Sequence, residues 1–400
     1  MFDKSDLLKK LEFYSELKQI NKKFKMHLHF SGYPLAKSIL GLECDELEIK
    51  YLFKKSSFNN FVEKLSGIAD LVIKKPFCEI TLLSQIKIKF VPFYRFRYIK
   101  DSPVKIINNS KNISTTLLVD SNHRGITINS MFYDIETDRL KDFNNGLDDL
   151  NKELIVNWSP RKRLLEDPSR FIKTFAYAAE LNKNVGRRYF NAMKKYSYIF
   201  NTKKFNIRKW LNKIVMSDLP SKYINGLQKT GTLKYILPFL SECYGIQQNE
   251  YHKHDVYTHC LLTCDNAPKD LALRLAALLH DIGKLETRKI INGKVTFHSH
   301  EVIGAFMAKD MLANLGYGSI AEEVTTLIRE HMYNYTNKWS DRTLLKLMNK
   351  LNITSVESID KVKLFKLRAA DRLGKGLTEP VTQKQKDLEA RIIELLERRR

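Results

Sequence analysis

The segment Leu271–Lys284, reading LALRLAALLHDIGK, constrains this chain more than any other stretch. It is an apolar helical pattern that runs straight into a histidine and an aspartate, His280-Asp281. Two ionisable groups at the end of a buried helix are costly unless a cation or a partner compensates them. Neighbouring residues on a helix point about 100° apart, so both can approach one ion from its flank. The remaining donors must come from other helices, and the sequence supplies them: seven of the ten histidines fall between His252 and His331. DVYTHCLL carries His259, FHSHEVIGA carries His300, REHMYNY carries His331 and LRAADRLGKG carries Asp371. Each lies on a segment of apolar three-and-four periodicity, which aims such side chains into the core of a helical bundle. Six ligands exceed what one tetrahedral site uses, so two ions could share Asp281. Imidazoles with carboxylates suit Mn, Fe, Ni, Co or Zn, and Mg where carboxylate and water dominate. His298, two residues before His300, is given no ligand role.

The 400 residues allow one to three domains. To about Val156 the chain mixes strand and turn signals. KIKFVPFYRFRYI, around Ile88 to Ile99, is aromatic and β-branched and reads as one or two strands, and the Asn-rich IINNSKNIS reads as a loop. From Ser159 the pattern turns helical; in LLEDPSRF, Asp167-Pro168 resembles an N-cap followed by Pro at the first helical position. The fold expected is α+β: a small mixed α/β head over residues 1–156, an all-α neck and body over 157–248, and an all-α metal-binding domain over 249–400. The closing ERRR suits a helix C-terminus or a solvated tail.

The order H…HD…H…H…D resembles the HD superfamily of metal-dependent phosphohydrolases, and the string from His254 to Gly376 resembles the HD domain that follows many bacterial tRNA nucleotidyltransferases. The resemblance implies a metal that activates a water for attack on a phosphoester. The implied metal ligands are His259, His280, Asp281, His300, His331 and Asp371, and Asp281 is also a catalytic candidate. Lys284, just past the HD pair, is either an electrostatic clamp on the phosphate or an ordinary solvated helix-end lysine.

The resemblance extends upstream to class II tRNA nucleotidyltransferases and poly(A) polymerases, with departures. SGYPLAKSILG stands in place of the family's glycine-rich phosphate loop: Gly32 and Gly41 are kept, but Tyr33 replaces the second glycine and Ala36-Lys37 the Arg-Asp pair. A tyrosine there would obstruct close approach of backbone N–H groups to a triphosphate. ECDELEIK puts Glu46 and Glu48 where the family has paired aspartates for two Mg ions, and Mg tolerates little change in ligand length. The third carboxylate looks replaced by Lys87 or Lys89, a cation where a metal should sit. DSNHRGITINSMFYD keeps Asp120, Arg124, Thr127 and Asn129, with Gly125 in place of an aspartate; KDFNNGLDDL keeps Asp142, Gly146 and Asp149. LLEDPSRF matches the Glu-Asp-x-x-Arg motif as Glu166, Asp167 and Arg170. The resemblance implies that Gly32, Arg124, Asn129, Asp167 and Arg170 bind ATP or CTP, with Glu46 and Glu48 as catalytic residues using Mg.

Charge decides the partner class. Lys and Arg total 68 against 45 acids, a formal +23, and such an excess attracts a polyanion. Basic clusters at Arg161-Lys162-Arg163, Asn184–Arg188, Lys194-Lys195, Lys203-Lys204 and Arg208-Lys209 interleave with aromatic residues. That mixture suits a track for tRNA or another RNA, and equally a solvated helix surface. No run of eighteen apolar residues occurs, so no membrane span is expected. The N-terminus lacks an apolar signal core, and five scattered cysteines read as free thiols in a reducing cytoplasm. Oligomeric state is open. Three functions follow: an HD phosphohydrolase acting on RNA 3′ ends (2′,3′-cyclic phosphate or 2′-phosphate) beside a degenerate head; an active nucleotidyltransferase adding CCA or A to tRNA through Glu46 and Glu48; or a non-catalytic tRNA-binding protein.

Overall fold

The computed structural model describes residues 14–44, 46–52, 62–63, 70–74, 77–81, 87–99, 102–107, 112–152, 159–202, 205–248, 253–333, 335 and 339–398. The N-terminal 13 residues, part of the expected Asn-rich loop (108–111), the expected boundaries at 156/157 and 248/249, Lys203-Lys204 and the last two arginines lie outside them. The fold is α+β, and the chain divides into two compact units. One comprises Met1–Ala178 with Lys183–Lys203, the other Ala179–Asn182 with Lys204–Arg400. The middle segment expected over 157–248 is therefore shared between the two units rather than forming one of its own.

The first unit is built on a seven-stranded sheet of β1 (His29–Ser31), β2 (Glu46–Tyr51), β3 (Asp70–Lys74), β4 (Phe77–Thr81), β5 (Lys87–Pro92), β8 (Phe132–Asp134) and β9 (Arg139–Lys141). The order is β3-β4-β5-β2-β1-β8-β9, and only β2 and β5 pair in parallel. The aromatic stretch read as one or two strands is two: β5, then β6 (Tyr94–Ile99), which forms a separate ribbon with β7 (Ser102–Ile107). Period-two alternation buries Leu47, Ile49 and Tyr51 of β2 and turns Glu46 and Glu48 to the opposite face. The helices of this unit are α1 (Tyr14–Phe24), α2 (Gly32–Ile39), α3 (Ile113–His123), α4 (Gly146–Leu150), α5 (Pro160–Glu166), α6 (Arg170–Glu180) and α7 (Arg187–Lys195). Asn112 caps α3 by accepting from the Thr115 N–H, and a core of Phe93, Leu117 and Phe132 fastens that helix to the sheet.

The second unit is helical apart from a hairpin, β10 (Lys289–Ile291) with β11 (Lys294–Thr296). Its helices are α8 (Arg208–Val215), α9 (Pro220–Lys229), α10 (Pro238–Glu242), α11 (Val256–Asn266), α12 (Leu271–Leu279), α13 (Lys284–Thr287), α14 (His300–Asn314), α15 (Gly318–Glu330), α16 (Asp341–Lys350), α17 (Val356–Ile359), α18 (Lys363–Gly374) and α19 (Gln383–Glu397). Asp255 and Asp270 cap α11 and α12 by accepting from the N–H groups of Thr258 and Leu273. Ala272 to Leu279 are all buried, as an apolar pattern on every face demands. Even Arg274 is buried, donating to the carbonyls of Ala267, Val215 and Ser217. Among the described residues no helix is long and apolar enough to cross a membrane. All five cysteines are free and buried.

Candidate metal centre and the carboxylate face of the head

Five elements of the second unit bring the six expected ligands together. His259 comes from α11, His280 and Asp281 from the end of α12, His300 from the first turn of α14, His331 from the end of α15 and Asp371 from α18. Close packing of the turn after Asp281 on α14 sets the site's width. At Gly283 a Cβ would meet the His300 carbonyl at 2.1 Å and the Gly304 nitrogen at 2.5 Å, so only glycine allows this approach.

The geometry is that of a donor cage. His259 Nε2 lies 2.9 Å from Asp371 Oδ1, 3.2 Å from His280 Nε2 and 3.5 Å from Asp281 Oδ2. On the other side, Asp281 Oδ1 lies 3.2 Å from His300 Nε2 and 3.8 Å from His331 Nε2. Two overlapping donor groups result, His259–His280–Asp371 and His280–Asp281–His331. The imidazoles are pre-aimed: the Nδ1 atoms of His280, His300 and His331 contact the carbonyls of Ala277, Phe297 and Ile328 at 2.9, 2.8 and 2.6 Å. A ring that donates from Nδ1 presents its Nε2 lone pair to a metal.

The electrostatics suit a divalent cation. Burial lowers His259, and it lowers His331 to about 3, so both are neutral donors. Burial opposes charge on His280 too, but the Asp281 and Asp371 carboxylates hold it well above its ordinary value. Burial is likewise overcome at Asp281, held well below the carboxylate range by His280 and Lys284, and at Asp371, held down by His259 and His280. His280 thus carries positive charge that a divalent ion would displace as it binds. His300 Nε2 is buried and makes no hydrogen bond, although a carboxylate oxygen faces it. That environment suits a lone pair that binds a cation.

Lys284 is not a solvated helix-end residue. It is buried, with Nζ 2.6 Å from Asp281 Oδ2 and 2.7 Å from Gln248 Oε1. A cavity of about 210 Å³ opens on the cage, lined by His280, Asp281, His300, His331 and Asp371 together with Lys284, Lys375, Phe297, His298 and Met332. His298 stands exposed on its wall, outside both donor groups. Sequence reasoning missed Lys375, whose Nζ lies 2.9 Å from Asp371 Oδ2. The signal was available, since a lysine four residues after an aspartate shares its helix face.

In the first unit the expected carboxylates lie on one face but are already paired. Lys89 takes Glu46 at 2.8 Å and reaches Glu79 at 3.7 Å. Arg124 takes Glu48 at 3.0 Å and Asp120 at 2.7 Å, while Ser31 Oγ donates to Glu48 at 2.8 Å. These contacts hold Glu48 below its ordinary range against its burial. Lys89, not Lys87, is the intruding cation: its Nζ pairs with Glu46 and Glu79, whereas Lys87 is exposed. Two carboxylates with cations upon them, and a lysine between Glu46 and Glu79, do not fit a pair of Mg ions.

Of the expected nucleotide ligands, Gly32, Arg124 and Arg170 are engaged within the protein. Gly32 packs against Arg124 and Glu48, and Arg124 donates to the Asn129 carbonyl at 3.0 Å. The Tyr33 ring is buried and stacks on Tyr177, centroids 3.9 Å apart. Arg170 is buried and donates to the carbonyls of Arg163 and His123. Gly125, at φ +78°, lets the Arg170 side chain pass where any Cβ would collide with it. Asp167 accepts from Ser169 N–H at 3.1 Å and from Lys173 at 3.0 Å. Burial would raise its pKa, but Lys173 and Arg170 lower it to about 2. The Asp167-Pro168 pair thus caps through Ser169, and α6 begins at Arg170.

Fold and site together define a chain with a mixed-sheet head of nucleotidyltransferase type and a helical module built around a histidine/aspartate metal centre. Residues 45–156 match the poly(A) polymerase head domain and residues 252–398 match the HD domain. Curated relatives include the multifunctional CCA protein of Neisseria meningitidis serogroup B (strain MC58), 28% identical over 248 residues, 59% of this chain and 58% of that protein. Another is the A-adding tRNA nucleotidyltransferase of Deinococcus radiodurans, 29% identical over 227 residues, 53% of this chain and 52% of the relative. The chain thus spans little more than half the length of these relatives. The Bacillus stearothermophilus CCA-adding enzyme solved with CTP shares the fold, with a TM-score of 0.59, 12% identity and coverage of 96% of this chain and 83% of that one. A tRNA-processing enzyme in an apo form also shares it, with a TM-score of 0.57, 17% identity and coverage of 97% and 96%.

Proposed function

We propose that this protein is a metal-dependent phosphohydrolase whose HD site hydrolyses phosphoesters at RNA 3′ ends, of the 2′,3′-cyclic phosphate or 2′-phosphate type. The observation that carries the reading is the convergence of His259, His280, Asp281, His300, His331 and Asp371 in one donor cage, on which a cavity opens that also presents Lys284. A divalent ion held there supplies Lewis-acid charge and an activated water. The chain's own residues do the rest. The backbone contacts of His280, His300 and His331 fix their rings, Asp281 faces both donor groups, and Lys284 neutralises its Oδ2. tRNA is the substrate we favour, because the curated relatives are CCA- and A-adding tRNA proteins and the chain carries +23. Free buried cysteines suit a cytoplasmic setting. Purified protein with Mn or Ni should release phosphate from a terminally phosphorylated RNA. His280→Ala and Asp281→Ala should abolish that release, and absence of metal-dependent turnover on any phosphoester would overturn the reading.

The head we read as not transferring nucleotides, on the Lys89–Glu46 and Arg124–Glu48 pairs. The names of the relatives favour the second reading, an active head adding CCA or A. Labelled ATP and CTP with a truncated tRNA decide between them. An extended product lost in Glu46→Ala and Glu48→Ala would restore the head as an enzyme.

A further inference from the structure

Both carboxylates of the metal cage have a lysine on one oxygen. Lys284 Nζ sits 2.6 Å from Asp281 Oδ2, and Lys375 Nζ sits 2.9 Å from Asp371 Oδ2. The histidines face both carboxylates too: Asp371 Oδ1 meets His259 at 2.9 Å, Asp281 Oδ1 meets His300 at 3.2 Å, and Asp281 Oδ2 is shared between Lys284 and His280, the latter at 3.3 Å. Both lysines also line the cavity. Two carboxylates and two ammonium groups cancel, so once an arriving ion has displaced the His280 proton the cage itself adds no net charge. One divalent ion then leaves the loaded cavity at about +2, whereas two aspartates without lysines would leave it neutral.

We propose that Lys375 is a specificity-determining residue which, with Lys284, keeps the loaded site positive and so selects a dianionic phosphomonoester over a monoanionic phosphodiester. The inference rests on the phosphohydrolase reading and narrows it to a terminal phosphate. Lys375 is the informative member of the pair. Lys284 is buried and also bound to Gln248, whereas Lys375 is half-buried on the cavity wall and its change disturbs less. Coulomb energy scales with the ligand's charge, so one lysine lost from the wall costs a dianion about twice what it costs a monoanion. In affinity, the factor for the dianion is the square of the factor for the monoanion.

The test uses the full chain loaded with Mn, and methyl phosphate against dimethyl phosphate, near-isosteric ligands that differ by one charge once the monoester is above its second pKa of about 6. Binding is measured by calorimetry with metal content checked alongside. For wild type, methyl phosphate should bind the tighter. Lys375→Met should weaken it by about tenfold where dimethyl phosphate loses about threefold, and Lys375→Arg should restore both. A lysine that merely props Asp371 would loosen the metal and weaken both ligands by the same factor, and that result, or no change in either, overturns the proposal. If neither ligand binds the Mn-loaded wild type and no phosphoester is turned over, the phosphohydrolase reading falls with it.

Discussion

Gly283→Ala tests whether the metal cage owes its width to one backbone approach. The residue has a helical φ of −65°, so alanine suits its conformation and the perturbation is steric alone. The added methyl would stand 2.1 Å from the His300 carbonyl oxygen and 2.5 Å from the Gly304 nitrogen, both backbone atoms that cannot swing aside. Restoring an ordinary contact requires the turn after Asp281 to move about 1 Å from α14. His280 and Asp281 ride on one side of that gap and His300 on the other, with Asp281 Oδ1 and His300 Nε2 now 3.2 Å apart. Metal–ligand distances tolerate about 0.2 Å, so a 1 Å opening breaks the shared coordination. Overpacking costs about 1–3 kcal/mol of stability, and Mn affinity should fall at least about tenfold, the scale seen when ligands lose their support. The assay is Mn titration calorimetry with thermal unfolding of the apo protein. Gly318→Ala serves as the control, because a Cβ there meets nothing within 4 Å. Unchanged affinity and melting temperature in Gly283→Ala would refute the argument.

Further outcomes follow from other residues. Saturating Mn should raise the thermal stability of the second unit, by about 2.7 kcal/mol at a hundred times Kd, and Asp371→Ala or EDTA should remove that gain in a melting experiment. Arg274→Met should destabilise the same unit by roughly 3 kcal/mol in urea unfolding, because it strands three buried carbonyls. In the head, burial lowers His29 to about 4 against the opposing contacts of the His27 carbonyl and Asp134. Between about pH 6.5 and 4 the unfolded chain therefore binds a proton that the folded one refuses, and stability falls as pH falls, by roughly 3 kcal/mol across the window. Hydrogen exchange at β1 should show this slope in the wild type, and His29→Asn should flatten it.

Much of this protein is legible in its residues because the relevant physics is local. Helical periodicity alone aims His259, His300, His331 and Asp371 inward, and the apolar run before His280 demands a compensating charge; the structure assembles all six. Strand alternation alone puts Glu46 and Glu48 on one face of β2. What tertiary structure decided depends on pairing between distant segments. Only the folded sheet shows that Lys89 pairs with Glu46 and Glu79 while Lys87 is exposed. Only packing shows that Tyr33 stacks on Tyr177 and that Arg170 spends its guanidinium on the carbonyls of Arg163 and His123. The motif Glu166-Asp167-x-x-Arg170 reads the same whether its side chains face a ligand or the interior. Lys284 was equally undecided between solvent and site until Gln248 and Asp281 enclosed it. Residue type and spacing determine which groups can do chemistry; the burial and partners of each, set by contacts far apart in the chain, determine which are left able to do it.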